Sequence, residues 1–344
     1  FFQKSKTPSI YKRMLKSQVF FTITIFFALY AFYLTLYGLF LSGTKLSQTS
    51  ETSLLDENDK QWFEPRGKVV MVLFDALRFD YLLNGEFTES NKRFPDLKLR
   101  KLNNLMAENP ENFVIMRARA DSPTLTVNRI PCIATGNIPP KVAVLQALKA
   151  LPSVEDSFPK QLRLLKRKSY FSGDPLWVEY FPGEFTEAGP ANGFNTKDPN
   201  VDVEVIAFLK KKLAENDFDL LLTHLLSVDH MGHAFGMNDD RLQEKVADND
   251  QFLFDIIDTI DDDTTLVLLG DHGMDAAGTH GGDTLDETST AIVAFNKKGF
   301  QKYHHQKDVS QVMRSINETI LSVKQQDIAP TLSMLMGIPI PFSN

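Results

Sequence analysis

The sequence predicts an α/β domain with a mostly parallel central sheet, covered by helices on both faces and preceded by one transmembrane helix. Three observations predict this fold class. From Lys68 onward, apolar runs typical of buried strands alternate with stretches of helical spacing. No internal repeat or long polar gap divides this part of the chain. One uncharged apolar segment lies near the N-terminus.

The apolar segment from Val19 to Leu41 contains no charge and no proline. At about 1.5 Å rise per residue, a helix of this length covers the roughly 30 Å hydrocarbon core of a bilayer. Five cationic residues and no acidic residue precede Ser17, so the positive-inside rule places the N-terminus in the cytoplasm. A buried helix or a cleavable signal peptide is the alternative, although a signal peptide has a shorter apolar core.

These features divide the chain into four predicted parts. We expect a cytoplasmic basic tail (1–17), a transmembrane helix (18–42), a polar tether (43–66) and an α/β domain on the far side of the membrane (67–344). Strands are expected at 69–74, 113–120, 219–228, 265–269 and 290–295. Helices are expected at 127–134, 201–215, 241–260 and 327–336, with another ending at 162–168.

Composition limits the possible functions. The chain of 344 residues has a formal net charge of −7, and its basic cluster lies before the apolar segment, so the predicted domain is strongly acidic. Nucleic-acid binding usually requires a basic stripe, and we therefore expect no nucleic-acid partner. The single cysteine, Cys132, excludes an intrachain disulfide.

Asp and His residues follow the strongest predicted strands. They are Asp75, Asp229, His233, Asp271, His272 and, in a glycine-rich loop, His280. Because the carboxyl ends of parallel strands meet at one edge of a sheet, these six side chains can gather there. Zinc binds His nitrogen and carboxylate oxygen, and two such ions about 3.5–4 Å apart can catalyse phosphoryl transfer. Manganese accepts the same ligands.

Each of these residues alone has a simpler interpretation. An Asp at a strand end often caps the next helix. An Asp and a His four residues apart, as Asp229 and His233 are, can also occur by chance. The combination favours a metal centre, because clustered carboxylates repel one another without a cation. His224, in the middle of a strand, is interpreted as a core histidine.

A hydroxyl nucleophile is expected within Ser122–Thr126. A helix beginning near Val127 would offer N–H groups to a phosphate, and a metal could activate a threonine hydroxyl. Capping of this helix by Thr124 or Thr126 is the alternative.

Several segments resemble the alkaline phosphatase superfamily and, within it, the glycosylphosphatidylinositol (GPI) ethanolamine phosphate transferases, type 3 members above all. The segments are FDALRFD (Phe74–Asp80), Pro123-Thr124, GDPLWVEYFPGEF (Gly173–Phe185), VDHMGH (Val228–His233), GDHGM (Gly270–Met274), GTHGGD (Gly278–Asp283) and GIPIPF (Gly337–Phe342).

The resemblance implies a two-zinc site with Thr124 as the nucleophile. One zinc would be held by Asp75, Thr124, Asp271 and His272, and the other by Asp229, His233 and His280. It further implies transfer of phosphoethanolamine from phosphatidylethanolamine to a mannose, expected to be the third, of the GPI-anchor precursor through a phosphothreonine. Where type 3 members read Gly-Asp-Asp-Thr-Trp, this chain has Gly173–Trp177 as GDPLW, so no catalytic role is assigned to that loop.

The resemblance also implies a location and partners. We expect an endoplasmic reticulum membrane protein with a lumenal catalytic domain, lacking the multi-helix membrane region that follows this domain in the family. A small membrane subunit is a further expected partner. The sequon at Asn317 fits a lumenal glycoprotein.

Two other functions remain open. A phosphodiesterase or nucleotide pyrophosphatase of the same superfamily would share the site and use water as acceptor. A non-catalytic membrane subunit is less favoured, because the complete set of site residues is present.

Overall fold

The computed structural model describes residues 8–36, 38, 46–51, 67–82, 97–138, 152–193, 195–300 and 322–342. The chain separates into two compact units, Phe1–Thr44 and Lys45–Asn344. The first unit contains helix α1 (Pro8–Leu36), of which Lys12–Leu36 is long and apolar enough to cross a membrane.

The second unit is built on one eight-stranded sheet with the order β4-β3-β5-β1-β6-β7-β2-β8. The strands are β1 (Lys68–Phe74), β2 (Phe113–Arg119), β3 (Ser169–Gly173), β4 (Glu187–Ala191), β5 (Leu220–Leu225), β6 (Thr264–Gly270), β7 (Ser289–Phe295) and β8 (Ser322–Lys324). Only β7 pairs antiparallel, with β6 on one side and β2 on the other. The mostly parallel sheet predicted from the sequence is therefore confirmed.

Helices cover both faces of this sheet. They are α2 (Arg100–Glu108), α3 (Thr126–Thr135), α4 (Phe158–Leu164), α5 (Leu176–Tyr180), α6 (Val203–Glu215), α7 (Ser227–Phe235), α8 (Asp240–Thr259), α9 (Leu285–Thr288) and α10 (Ile328–Met336). Strand β1 has apolar side chains on both faces, which the helices cover. Val70 and Val72 belong to one apolar cluster, whereas Met71 and Leu73 belong to another on the opposite face. Its uninterrupted apolar run reflects burial on both sides.

One predicted boundary is wrong. The strand expected over 219–228 ends at Leu225, and α7 begins at Ser227, after Leu226 has already adopted helical dihedral angles. The apolar run continues from the strand into the helix, so its periodicity does not mark the change. As a result Asp229 and His233 lie on one helix, four residues apart and on the same face.

The direction of β2 brings a further segment to the site. Strand β2 is antiparallel to β7, which is antiparallel to β6, so β2 points the same way as β6 and β1. The chain after Arg119 therefore reaches the sheet edge at which Asp75 and Asp271 lie.

Part of the predicted tether belongs to the second unit and is hydrogen-bonded within it. The amide N–H of Ser50 donates to Asp156 Oδ2 over 2.9 Å, and Lys160 Nζ donates to Thr49 Oγ1 over 2.8 Å. Most of the tether and the Asn317 sequon lie outside the described residues.

Candidate metal centre

Two groups of Asp and His side chains lie at the carboxyl edge of the sheet. The first consists of Asp75, Asp271 and His272, and the second of Asp229, His233 and His280. Within each group the potential ligand atoms all lie within 4.8 Å of one another. The rings of His272 and His280 stack with centroids 3.8 Å apart, so the two groups are neighbours.

The first group sits directly at the ends of two adjacent parallel strands. Asp75 follows β1 and Asp271 follows β6, and both are buried. His272 Nε2 lies 3.3 Å from Asp75 Oδ1 and 3.3 Å from Asp271 Oδ2. Its Nδ1 lies 3.0 Å from the carbonyl oxygen of Gly273, which can only accept, so Nδ1 carries the proton and the Nε2 lone pair faces both carboxylates.

The second group combines α7 with the loop after β6. His233 Nε2 and His280 Nε2 lie 3.3 Å and 3.4 Å from Asp229 Oδ1. His280 Nδ1 donates to the carbonyl oxygen of Thr124 over 2.7 Å, which leaves the His280 Nε2 lone pair directed at Asp229. Gly278 makes this approach possible, since its φ is +77° and a Cβ there would lie 2.2 Å from the carbonyl oxygen of Gly232 on α7.

The structure places Thr126, and not Thr124, beside the first group. Thr126 is the first residue of α3 and is only partly buried; its Oγ1 lies 3.1 Å from His272 Nε2 and 3.4 Å from Asp75 Oδ2. The Thr124 side chain is 0% exposed. Its hydroxyl accepts from the N–H of Gly281 and donates to the carbonyl oxygen of Gly282, each over 3.0 Å. Thr124 thus joins two loops and does not face the Asp and His groups.

Both groups have the chemistry of a cation site. Asp75 Oδ1, Asp229 Oδ1 and Asp271 Oδ2 are buried and have no hydrogen-bond partner among the described residues. Imidazole lone pairs point at these same oxygens, and such an arrangement of electron donors is repulsive until a positive charge enters. Three protein ligands of this type match the donor set of an open, catalytic zinc site.

Burial controls the protonation of the first group. Burial, reinforced by the charges of Asp271 and Asp229, raises the pKa of Asp75 well above its usual value. Burial also raises the pKa of Asp271 to about 7 and lowers that of His272 to about 4. A neutral His272 retains the free lone pair that metal binding requires.

In the second group, the neighbouring histidines partly compensate the negative charge of Asp229. Burial opposes ionisation of Asp229, but the 3.3 Å approach of His233 Nε2 and the nearby imidazoles outweigh it and lower the Asp229 pKa. The same close contact raises the pKa of His233, whereas burial lowers that of His280. The two groups therefore differ electrostatically before any ion binds.

The Asp271 carboxyl allows a direct test of this electrostatic account. Its pKa rises from 3.8 in the unfolded chain to about 7 in the folded one, so its protonation stabilises the fold below about pH 4, and this contribution is lost as the pH rises through 7. Asp271→Asn mimics the protonated form, and its amide oxygen can still accept from the N–H of Ala76, which lies 3.2 Å from Asp271 Oδ1.

We therefore expect Asp271→Asn to raise the melting temperature of the zinc-free protein at pH 8 and to leave it nearly unchanged at pH 4. Thermal unfolding in chelator at the two pH values measures this. An equal difference at both pH values would contradict a raised Asp271 pKa.

The sequence motif FDALRFD contributes a buried arginine, Arg78, close to the first group. Arg78 is 2% exposed, and its guanidinium donates to both carboxylate oxygens of Asp80 over 2.9 and 2.8 Å and to the carbonyl oxygen of Met274 over 2.8 Å. The bond to Met274 joins the turn after Asp75 to the loop after His272, and the bidentate pair with Asp80 holds the guanidinium in place.

The sheet order and the two Asp-His groups define the class: the second unit has an alkaline phosphatase-like fold. The C-terminal periplasmic domain of EcEptC from Escherichia coli, solved in complex with zinc, superposes with a TM-score of 0.55 and 13% identity over 86% of this chain and 87% of that one. Murine ectonucleotide pyrophosphatase / phosphodiesterase 5 superposes with a TM-score of 0.55 and 12% identity over 80% of this chain and 97% of that one.

Sequence comparison places the chain within this class. Residues 165–331 match the family model for type I phosphodiesterase / nucleotide pyrophosphatase. GPI ethanolamine phosphate transferase 3 of Saccharomyces cerevisiae is 30% identical over 97% of this chain and 33% of its own length. The human type 3 catalytic subunit is 32% identical over 82% of this chain and 26% of its own length. The chain is similar to the GPI ethanolamine phosphate transferases, as the motifs predict, and spans about a quarter to a third of these relatives.

Proposed function

We propose that this chain is the catalytic part of a membrane-bound enzyme that transfers phosphoethanolamine from phosphatidylethanolamine to a mannose, the third, of the GPI-anchor precursor. The family supports the reaction, and the pairing of two Asp-His groups beside one partly exposed hydroxyl supports the mechanism. The apolar helix α1 supports a membrane location, which we propose to be the endoplasmic reticulum with the second unit in the lumen.

Two divalent ions, proposed to be zinc, would occupy the site. Asp75, Asp271 and His272 would hold one, with Thr126 in place of Thr124 as the adjacent hydroxyl; the second would be held by Asp229, His233 and His280. Bound zinc would lower the pKa of the threonine hydroxyl and would place positive charge beside the phosphate oxygens.

Thr126 is the proposed nucleophile on three grounds. Its hydroxyl is the one beside Asp75 and His272, its side chain is partly exposed, and it begins α3. The first N–H groups of an α-helix have no acceptor in the helix, and although that of Asn128 donates to the carbonyl oxygen of Leu125, those of Thr126 and Val127 could steady a phosphate. Thr124 meets none of these conditions.

The reaction then proceeds in two displacements. Thr126 Oγ1 loses its proton and attacks phosphorus, the bond from phosphorus to the diacylglycerol oxygen breaks, and diacylglycerol leaves as the alcohol. A mannose hydroxyl next attacks the phosphoethanolamine on Thr126 and gives up its proton as the threonine hydroxyl is restored. Both steps place an oxygen on the same phosphorus, so one site serves both.

A superfamily phosphodiesterase that uses water is the second candidate, because it requires the same residues. A transfer assay separates the two functions. Purified protein in detergent is given labelled phosphatidylethanolamine with and without a mannosylated GPI acceptor, and its zinc content is measured in parallel. We expect about two zinc ions per chain and label on the glycan. Release of free phosphoethanolamine at the same rate with or without acceptor would support the hydrolase instead.

A further inference from the structure

A tryptophan and a histidine lie behind Asp75 in the buried interior. Trp177 is on α5, in the GDPLWVEYFPGEF segment, and His224 is on β5, the strand next to β1. Both side chains are 0% exposed. Trp177 Nε1 lies 3.2 Å from His224 Nδ1. Neither residue has a part in the mechanism described above.

This contact determines which nitrogen of His224 carries the proton. The indole N–H of Trp177 can only donate, so His224 Nδ1 must accept and has no hydrogen. An imidazole ring carries a proton on at least one nitrogen, so with Nδ1 accepting from the indole the proton of His224 resides on Nε2. His224 therefore presents an N–H donor on the side opposite Trp177.

The donor faces Asp75. His224 Nε2 lies 3.7 Å from Asp75 Oδ2, and it has no hydrogen-bond partner among the described residues. Asp75 Oδ2 is also the oxygen that lies 3.4 Å from Thr126 Oγ1, whereas Asp75 Oδ1 faces His272. A donor on Oδ2 would leave Oδ1 as the free oxygen for a cation.

The backbone holds His224 in this position. Asn192 Nδ2 donates to the carbonyl oxygen of His224 over 3.2 Å. Gly173, at the end of β3, has a φ of +141°, and a Cβ there would lie 2.3 Å from the same carbonyl oxygen. These contacts fix the backbone of His224, while the ring itself is fully buried and held by the indole of Trp177.

We propose that Trp177 and His224 are positioning residues for Asp75: the indole fixes the imidazole tautomer, and the imidazole presents its Nε2 proton to Asp75 Oδ2, 3.7 Å away, so that Oδ1 is the oxygen turned toward the cation. This inference rests on the proposed metal site and extends it beyond the residues that touch the ion. It also gives the GDPLW loop a role that does not depend on the residues at 175 and 176, since Trp177 alone makes the contact.

Zinc affinity of the full chain, measured by titrating metal-free protein against a competing chelator, tests the proposal. Trp177→Phe removes the N–H and keeps an aromatic ring, and we expect it to weaken one of the two zinc sites about tenfold, as is typical when an outer partner of a ligand is lost. His224→Asn, whose amide cannot reach Asp75, should weaken that site at least as much. His224→Gln, whose amide nitrogen can occupy the Nε2 position, should bind zinc nearly as the parent does.

Phe181→Leu is the matched control, because Phe181 packs against Trp177 with ring centroids 6.1 Å apart and has no polar group that could donate to Asp75. We expect it to lower the melting temperature of the zinc-free protein without changing zinc affinity. The same pattern in Trp177→Phe and His224→Asn would overturn the inference and leave the proposed function intact. Failure of the parent protein to bind zinc would overturn both.

Discussion

Thr126→Ala is expected to reduce phosphoethanolamine transfer by at least about a thousandfold, because removal of a covalent nucleophile leaves only the rest of the site to act. Zinc content should remain close to that of the parent protein, since all six Asp and His residues are retained. Thr126→Ser keeps a hydroxyl at this position and should keep measurable transfer. The initial rate with labelled phosphatidylethanolamine and the zinc content are the quantities to compare.

Thr124 provides the matched control, only two residues away. Thr124→Ser keeps the hydroxyl that joins Gly281 and Gly282 and should retain most activity. Thr124→Val leaves the partly buried N–H of Gly281 without an acceptor, so we expect lower stability and a loss of transfer of about tenfold, far smaller than for Thr126→Ala. A thousandfold loss of transfer in Thr124→Ser together with normal transfer by Thr126→Ala would identify Thr124 as the nucleophile instead.

Asp229→Asn is expected to remove one of the two zinc ions and to lower transfer at least about a hundredfold. This is the upper end of the loss that is typical when an outer partner of a metal ligand is removed, and Asp229 is a proposed ligand itself. Asp229 Oδ1 is the single carboxylate oxygen that faces both His233 and His280, and an amide cannot supply its negative charge. Metal content by mass spectrometry and the transfer rate measure the two effects.

Asp239→Asn is the control for this substitution. Asp239 is the N-cap of α8, where its carboxylate accepts from the N–H of Arg241, and Asn caps helices as well as Asp does. Zinc content and transfer should both stay at the parental level. Retention of two zinc ions by Asp229→Asn would exclude Asp229 as a ligand.

The fold could be predicted from the sequence because its central strands are buried on both faces. The apolar runs at 69–74 and 265–269 locate β1 and β6 to within one residue, and the polar residues after them mark the functional edge. The boundary between β5 and α7 could not be predicted, because the apolar residues there serve a strand and then a helix. The antiparallel direction of β7 could not be predicted either, because an apolar run that is mostly buried looks the same in a parallel and an antiparallel strand.

The choice between two threonines shows the limit of motif reasoning at the site. Thr124 and Thr126 are two residues apart, and only the start of α3 decides which hydroxyl reaches Asp75 and which is enclosed by Gly281 and Gly282. Periodicity places the helix near Val127 but does not fix its first turn. His224 likewise cannot be told from an ordinary core histidine in the sequence, because its contact with Trp177 joins residues 47 positions apart.

The most direct test of the central claim is to locate the covalent intermediate. The protein is mixed with phosphatidylethanolamine without acceptor, quenched in acid, digested and analysed by mass spectrometry. We predict a phosphoethanolamine adduct on Thr126 that disappears when the mannosylated acceptor is added before the quench. An adduct on Thr124, or transfer to the acceptor with no adduct on any residue, would contradict the mechanism.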